Sequence, residues 1–113
     1  MAEEAGELVP EGSAVMPQIP AELGVHPLLL AVLHAVIFLD GSEEDVVDAD
    51  AAAEAMEYMA AYLQRLSSAE LRRLHEDMHA LAAFARQEKW PKRHIRFFKE
   101  FVSNFGIGEK KEA

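Results

Sequence analysis

Residues 67–106 read SSAELRRLHEDMHALAAFARQEKWPKRHIRFFKEFVSNFG, and their pattern indicates an all-helical fold class. Ser67 is followed three residues later by Glu70, which is the capping-box pattern that begins a helix. Apolar residues then recur every three or four positions, the period of a helix that is buried on one side. They are Leu71, Leu74, Met78, Leu81 and Ala85. We therefore expect a helix from this capping box to about Lys89.

The next helix is predicted to begin at Pro91, because proline suits the first turn, where the backbone N–H has no helical partner. Gly106 and Gly108 are expected to end it. Its predicted inner face consists of Ile95, Phe98, Phe101, Val102 and Phe105. Nowhere in the sequence does period-two alternation continue long enough to predict a strand.

Two further helices are predicted upstream. The first begins at Pro27, runs to about Leu39 and is apolar nearly all round. The second begins after Asp48 or Asp50, either of which can cap its first N–H groups. Its predicted apolar stripe consists of Ala52, Ala55, Met56, Met59, Tyr62, Leu63 and Leu66. The predicted fold is an all-α four-helix bundle.

The segment before these helices differs from them in composition. Residues 1–24 carry Pro10, Pro17 and Pro20 and show little helical periodicity, so we expect an extended or disordered acidic arm. The helical bundle domain is expected to span residues 25–108, and residues 109–113 are expected to form a charged tail. Apolar residues within the arm leave open that part of it docks on the domain.

Composition excludes several classes of protein. A length of 113 residues suits one domain, and the absence of cysteine excludes disulfide scaffolds and thiolate chemistry. The start of the chain is acidic and lacks the layout of a signal peptide. The longest apolar stretch, residues 27–39, is too short to span a bilayer. We expect a soluble cytoplasmic protein without a membrane partner.

Charge is distributed unevenly along the chain, whose formal net charge is −9. Residues 1–57 contain 13 acidic residues and no lysine or arginine, whereas residues 58–113 contain 7 acidic residues and all 11 bases. The predicted acidic surface, suited to a basic partner, consists of Glu43, Glu44, Asp45, Asp48 and Asp50. The predicted basic face, suited to an acidic partner, consists of Lys92, Arg93, Arg96 and Lys99. An acidic chain is repelled by nucleic acid at long range, which favours protein partners.

A possible metal motif lies within the third helix. The stretch from His75 to His79, H-E-D-M-H, resembles the H-E-x-x-H motif of zinc-dependent proteases over these five residues. Histidines four apart can share a zinc ion, with Glu76 as general base toward bound water. Three features oppose this interpretation: Asp77 is charged, no third ligand follows at the extended spacing, and no strand is predicted. We expect both histidines to be solvated or at the rim of the core, without metal or other cofactor.

The apolar first helix predicts a homodimer. A helix without a polar face needs a cover on every side, which a self-complementary twofold contact would supply. The expected dimer interface consists of Leu28, Val32, Ile37 and Phe38. Folding of the N-terminal arm over this helix is the alternative.

The sequence as a whole favours a small acidic helical protein that binds another protein, as an adaptor, regulator or neutralising partner, without catalysis. The first alternative is a zinc-dependent hydrolase that uses His75, Glu76 and His79. The second alternative is nucleic-acid binding through the basic helix 92–99.

Overall fold

A computed structural model describes residues 11–108 of the chain. In that range it contains a 3-10 turn, Ala21–Leu23, and four α-helices, with no strand. The helices are α1 (Pro27–Gly41), α2 (Ala49–Leu63), α3 (Ser68–Gln87) and α4 (Lys92–Asn104). The prediction of an all-α fold with four helices is confirmed. None of the helices within residues 11–108 has the length and apolar character needed to cross a membrane.

Local side-chain caps explain where α2 and α3 begin. The Asp48 carboxylate accepts a hydrogen bond from the Ala51 N–H at 2.9 Å. At α3, the Glu70 N–H donates to the Ser67 hydroxyl at 3.2 Å, and the Ser67 N–H donates to the Glu70 carboxylate at 2.8 Å. This is the predicted capping box, and the bonds from Ser67 lower the pKa of Glu70 because they stabilise its ionised form.

The ends of α3 and α4 are both Schellman motifs. After α3, the Trp90 N–H donates to the Ala85 carbonyl at 2.9 Å and the Lys89 N–H donates to the Arg86 carbonyl at 3.1 Å. The motif after α4 has Gly106 in the left-handed position, at φ 63°. After α3 that position is taken by Lys89, at φ 60°. A residue with a side chain pays about 1–2 kcal/mol for this conformation.

The chain divides into two compact units. The first consists of the described part of Met1–Ile19 together with Pro27–Glu57. The second consists of Pro20–His26 and the described part of Tyr58–Ala113. This division differs from the predicted order of one arm, one domain and a tail, whose boundaries remain predictions.

In the first unit, the segment before α1 is tied to the loop after it. The Glu43 N–H donates to the Gly12 carbonyl at 2.9 Å, and the Ala14 N–H donates to the Ser42 hydroxyl at 2.9 Å. The buried apolar side chains of this unit are Met16, Leu33, Val36, Ile37 and Ala52. The predicted arm is therefore hydrogen-bonded to the loop after α1 through Gly12 and Ala14. Residues 1–10 of the arm and the predicted tail, residues 109–113, lie outside the described residues.

In the second unit, α3 packs on α4. The buried apolar side chains are Val25, Leu74, Met78, Leu81, Ala82, Ala85, Phe98, Phe101 and Ile107. Trp90, in the turn between the two helices, lies edge-on to Phe84 with the ring centroids 5.8 Å apart. The Gln64 side chain donates from Nε2 to the Phe105 carbonyl at 2.8 Å, which joins the end of α2 to the end of α4.

Candidate binding cleft between α3 and α4

A cleft of about 460 Å³ lies between α3 and α4 in the second unit. Its floor is apolar and consists of Met78, Ala82, Phe98 and Val102. Its rim is polar, with every rim side chain exposed, and consists of His75, His79, Arg86, Lys99 and Ser103. None of these nine side chains is a carboxylate. The cleft therefore combines a cationic rim with an apolar floor.

The sequence produces this cleft through the spacing of residues on α3. Positions 75, 79, 82 and 86 recur at intervals of four, three and four, so they form one stripe along the helix. This stripe runs beside the predicted apolar seam of α3, which lies at positions 71, 74, 78 and 81. On α4, residues 98–99 and 102–103 supply the opposite wall, one helical turn apart. The paired helices thus align two stripes that are separate in the sequence.

The structure divides the H-E-D-M-H stretch between different environments. His75 and His79 are exposed and line the cleft, whereas Glu76 is exposed and does not line it. Met78 is buried in the cleft floor. Asp77, by contrast, is the buried charged residue of the described chain, with 6% of its surface exposed. The stretch thus contributes two imidazoles to one site and a carboxylate to another.

Asp77 attaches the segment Pro20–His26 to α3. Its Oδ2 accepts a hydrogen bond from the His26 N–H at 3.1 Å. The Arg73 Nε donates to the same carboxylate, at 3.0 Å to Oδ1 and 3.2 Å to Oδ2, and the Arg73 Nη2 donates to the Gly24 carbonyl at 2.9 Å. Sequence reasoning treated Asp77 only as an objection to zinc binding. The signal that pointed to its role is the spacing of four between Arg73 and Asp77, which allows a pair on one helix face.

The cleft is better suited to an anion than to a metal ion. Among residues 11–108, no group of three His, Asp or Glu side chains is placed to hold a metal ion. The histidines of the zinc motif share the cleft lining with Arg86 and Lys99, whose charges oppose a bound cation. The same charges attract a carboxylate or a phosphate.

The predicted basic face is exposed on α4. Its residues are Lys92, Arg93, Arg96 and Lys99, all of them exposed, and Lys99 also lines the cleft. Within the described part of the second unit, none of these four bases forms an ion pair with a carboxylate. His94 lies edge-on to Trp90, with ring centroids 5.7 Å apart. Burial lowers the pKa of His94, and the positive charge of Arg93 lowers it further.

The predicted acidic surface is likewise exposed, in the first unit. Its residues are Glu43, Glu44, Asp45, Asp48 and Asp50, all of them exposed. The sequence of the first unit contains no lysine or arginine that could neutralise them. Asp48 also has a structural role, since it caps α2.

The four side chains predicted to form a dimer interface differ in how exposed they are. Leu28 is 72% exposed, whereas Ile37 is buried at 7%. Val32 and Phe38 are half-buried. Ile37 therefore already lies within the fold of a single chain, and the homodimer stays a prediction.

Two exposed tyrosines form a surface that sequence reasoning missed. Tyr58 is 64% exposed and Tyr62, one helical turn later on α2, is 63% exposed. Helical spacing places Tyr62 on the predicted apolar stripe of α2, but the fold leaves this member of the stripe exposed. The guanidinium of Arg65 lies 4.8 Å from the centroid of the Tyr62 ring, a cation–π contact. Tyrosine and arginine are the residue types enriched where proteins bind proteins.

Comparison with known proteins gives no relative from which a function could be transferred. No protein-family model, no curated protein sequence and no solved structure matches this chain. The chemistry of its surfaces is therefore the guide to its function.

Proposed function

We propose that this chain is a small non-catalytic protein–protein interaction module, and that it binds an acidic segment of another protein through the basic face of α4. The observation that carries the proposal is the exposure of four bases on one helix, none of which is ion-paired within the described part of the second unit. Charge of one sign that is not paired internally steers and orients a partner of the opposite sign. A cytoplasmic adaptor or regulator is the role we propose.

The exposed tyrosines support a protein as the partner. Tyr58, Tyr62 and Arg65 provide rigid aromatic surface and a cation within the same unit as α4. Nucleic-acid binding requires counterion release from several phosphates, and four bases on a chain of net charge −9 make a small footprint for it. A protein partner requires fewer charges, because apolar and aromatic contacts supply much of the affinity.

The test compares two charge reversals in the full-length tagged chain. Nuclease-treated lysate is passed over the wild type, over Arg93→Glu/Arg96→Glu and over Glu43→Lys/Glu44→Lys/Asp45→Lys, at about 0.1 M salt, where surface charges act over about 10 Å. We expect an acidic protein to bind the wild type stoichiometrically, to be lost from the α4 variant and to be retained by the acidic-surface variant. Mass spectrometry identifies the bound protein, and its purified form is then titrated against all three chains.

Other outcomes contradict the proposal and point elsewhere. A partner that is lost only from the acidic-surface variant would be basic and would assign binding to the first unit. Absence of any partner, together with about one zinc ion per chain, would favour the hydrolase alternative. In lysate without nuclease, nucleic acid that is bound and then released steeply by added salt would favour binding through helix 92–99.

A further inference from the structure

We infer that the cleft between α3 and α4 accepts two neighbouring side chains of the partner segment, one acidic and one apolar. This inference rests on the proposed function and specifies the chemistry of the partner. The partner segment is a short stretch in which aspartate or glutamate adjoins leucine or phenylalanine.

The rim of the cleft accounts for the acidic side chain. Arg86 on α3 and Lys99 on α4 are placed on opposite walls, so a carboxylate between them is attracted from both sides. His75 and His79 add hydrogen-bond donors on the α3 wall, and Ser103 adds one on the α4 wall. None of the nine described lining residues is a carboxylate, so an incoming one meets no like charge among them.

The floor of the cleft accounts for the apolar side chain. Met78, Ala82 and Phe98 are buried, at 5%, 5% and 1% exposure, and Val102 is half-buried. Val102 therefore supplies most of the accessible apolar surface of these four residues, and an apolar side chain that enters the cleft gains chiefly by removing its own surface from water, at roughly 25 cal/mol for each Å². A volume of about 460 Å³ is at the smaller end of the range for binding pockets, about 300–1,000 Å³, and suits side chains rather than a whole folded element.

The floor of the cleft also favours a peptide side chain over nucleic acid as the ligand. Single-stranded nucleic acid binds by stacking its bases on exposed aromatic faces. The aromatic residue of the cleft, Phe98, is 1% exposed and has no free face on which a base could stack. A phosphate backbone would use the rim and leave the floor uncovered.

Three capped hexapeptides test the inference on the full-length chain. The first has four glutamates around a central leucine–phenylalanine pair, the second replaces that pair with two serines, and the third replaces the glutamates of the first with lysines. We expect the serine peptide to bind at least about tenfold more weakly than the first, since it has no apolar side chains to remove from water. We expect no binding of the lysine peptide.

Matched variants locate the site. Arg86→Gln/Lys99→Gln removes two rim charges and should weaken binding of the first peptide about three- to tenfold. Arg72→Gln/Lys89→Gln removes two exposed charges of the same unit outside the cleft and should leave the affinity within about twofold, since those charges are screened. Amide NMR shifts on peptide addition should concentrate at residues 75–86 and 98–103. Because all four substitutions are at exposed positions, the variants are expected to fold.

The outcomes separate this inference from the proposed function. Equal affinity for the leucine–phenylalanine and serine peptides, with loss only in Arg93→Glu/Arg96→Glu, would overturn the cleft and leave the basic face as the binding surface. Cleft binding that is unaffected by Arg93→Glu/Arg96→Glu, with no acidic partner in lysate, would overturn the proposed function instead. Decanoate, a small amphipathic anion, is tested in the same NMR experiment. If decanoate shifts the amide resonances of the cleft residues and no peptide does, the cleft binds a small amphipathic anion and the peptide occupant is overturned.

Discussion

Asp77 and His79 are two residues apart on α3, and their surroundings are opposite. Asp77 is buried and accepts hydrogen bonds from Arg73 and from the His26 N–H, whereas His79 is exposed at the rim of the cleft. One side of the helix thus uses charge to hold the chain together, because a buried carboxylate must be partnered. The other side keeps charge exposed to a ligand. The position of a charged residue on the helix, rather than its type, separates a structural role from a binding role.

The largest effect is expected from removing the buried carboxylate. Asp77→Ala leaves the His26 N–H and the Arg73 guanidinium without this acceptor, and we expect the free energy of unfolding to fall by about 2 kcal/mol. Chemical denaturation measures the loss, and hydrogen exchange at the His26 amide should accelerate. Asp77→Asn, which keeps an acceptor for that amide, is the control and should lose less. Unchanged stability and exchange in Asp77→Ala would show that the segment Pro20–His26 is held by other contacts.

A gain in stability is expected from a substitution in the turn that ends α3. This position belongs neither to the buried side of the helix that carries Asp77 nor to the cleft side that carries His79. Lys89→Gly relieves the left-handed strain at φ 60° and should raise the free energy of unfolding by about 1 kcal/mol. Gly106→Ala, at the equivalent position after α4, is the matched control and should lower stability. Thermal and denaturant unfolding measure both changes. A Lys89→Gly variant less stable than the wild type would mean that the lysine side chain makes contacts that outweigh the strain.

A smaller, pH-dependent effect is expected at His94. Its pKa is lowered in the folded chain, first by burial and then by Arg93, so the unfolded chain binds the proton more readily. The contribution of His94 to stability is therefore complete above its ordinary pKa of 6.5 and is lost as the pH falls below that value toward the folded-state pKa. Denaturation between pH 8 and pH 5 should show a steeper loss for the wild type than for His94→Phe, which keeps a ring beside Trp90. Parallel curves for the two chains would contradict this prediction.

The smallest effect is expected at the rim of the cleft. His75→Gln/His79→Gln changes two exposed side chains and should alter the free energy of unfolding by less than about 0.5 kcal/mol. Chemical denaturation alongside Asp77→Ala makes the contrast between the two sides of α3 quantitative. A loss above about 1 kcal/mol would show that the histidines stabilise the fold, as Asp77 does. The two sides of α3 would then not differ in role.

Local signals in the sequence predicted the helices well. The Ser67–Glu70 capping box, the Asp48 cap and the glycine after α4 act within one or two turns of chain, so residue order alone contains the information. Lys89 shows the limit of this approach, since the same motif forms there without a glycine. Tyr62 shows another limit, because helical spacing places it on the apolar stripe while the fold leaves it exposed.

The candidate site depended on information that the sequence does not contain locally. The cleft forms only when positions 75–86 of α3 face positions 98–103 of α4, and the wall residues Arg86 and Lys99 belong to different helices. The basic face could be predicted because its four members lie within eight residues on one helix. The role of Asp77 could not, because one of its partners, His26, is 51 residues away.

The attachment of Pro20–His26 to α3 has a consequence for how this protein can be divided. The chain supplies seven residues to the second unit before α1 begins, and returns to that unit only after Glu57. A cut at this point would yield a fragment from residue 58 onward that lacks the partners of Asp77 and Arg73 on residues 24 and 26. Neither unit is therefore one continuous segment that recombination could transfer to another protein. A fragment expressed from residue 58 onward would need residues 20–26 to be supplied separately as a peptide.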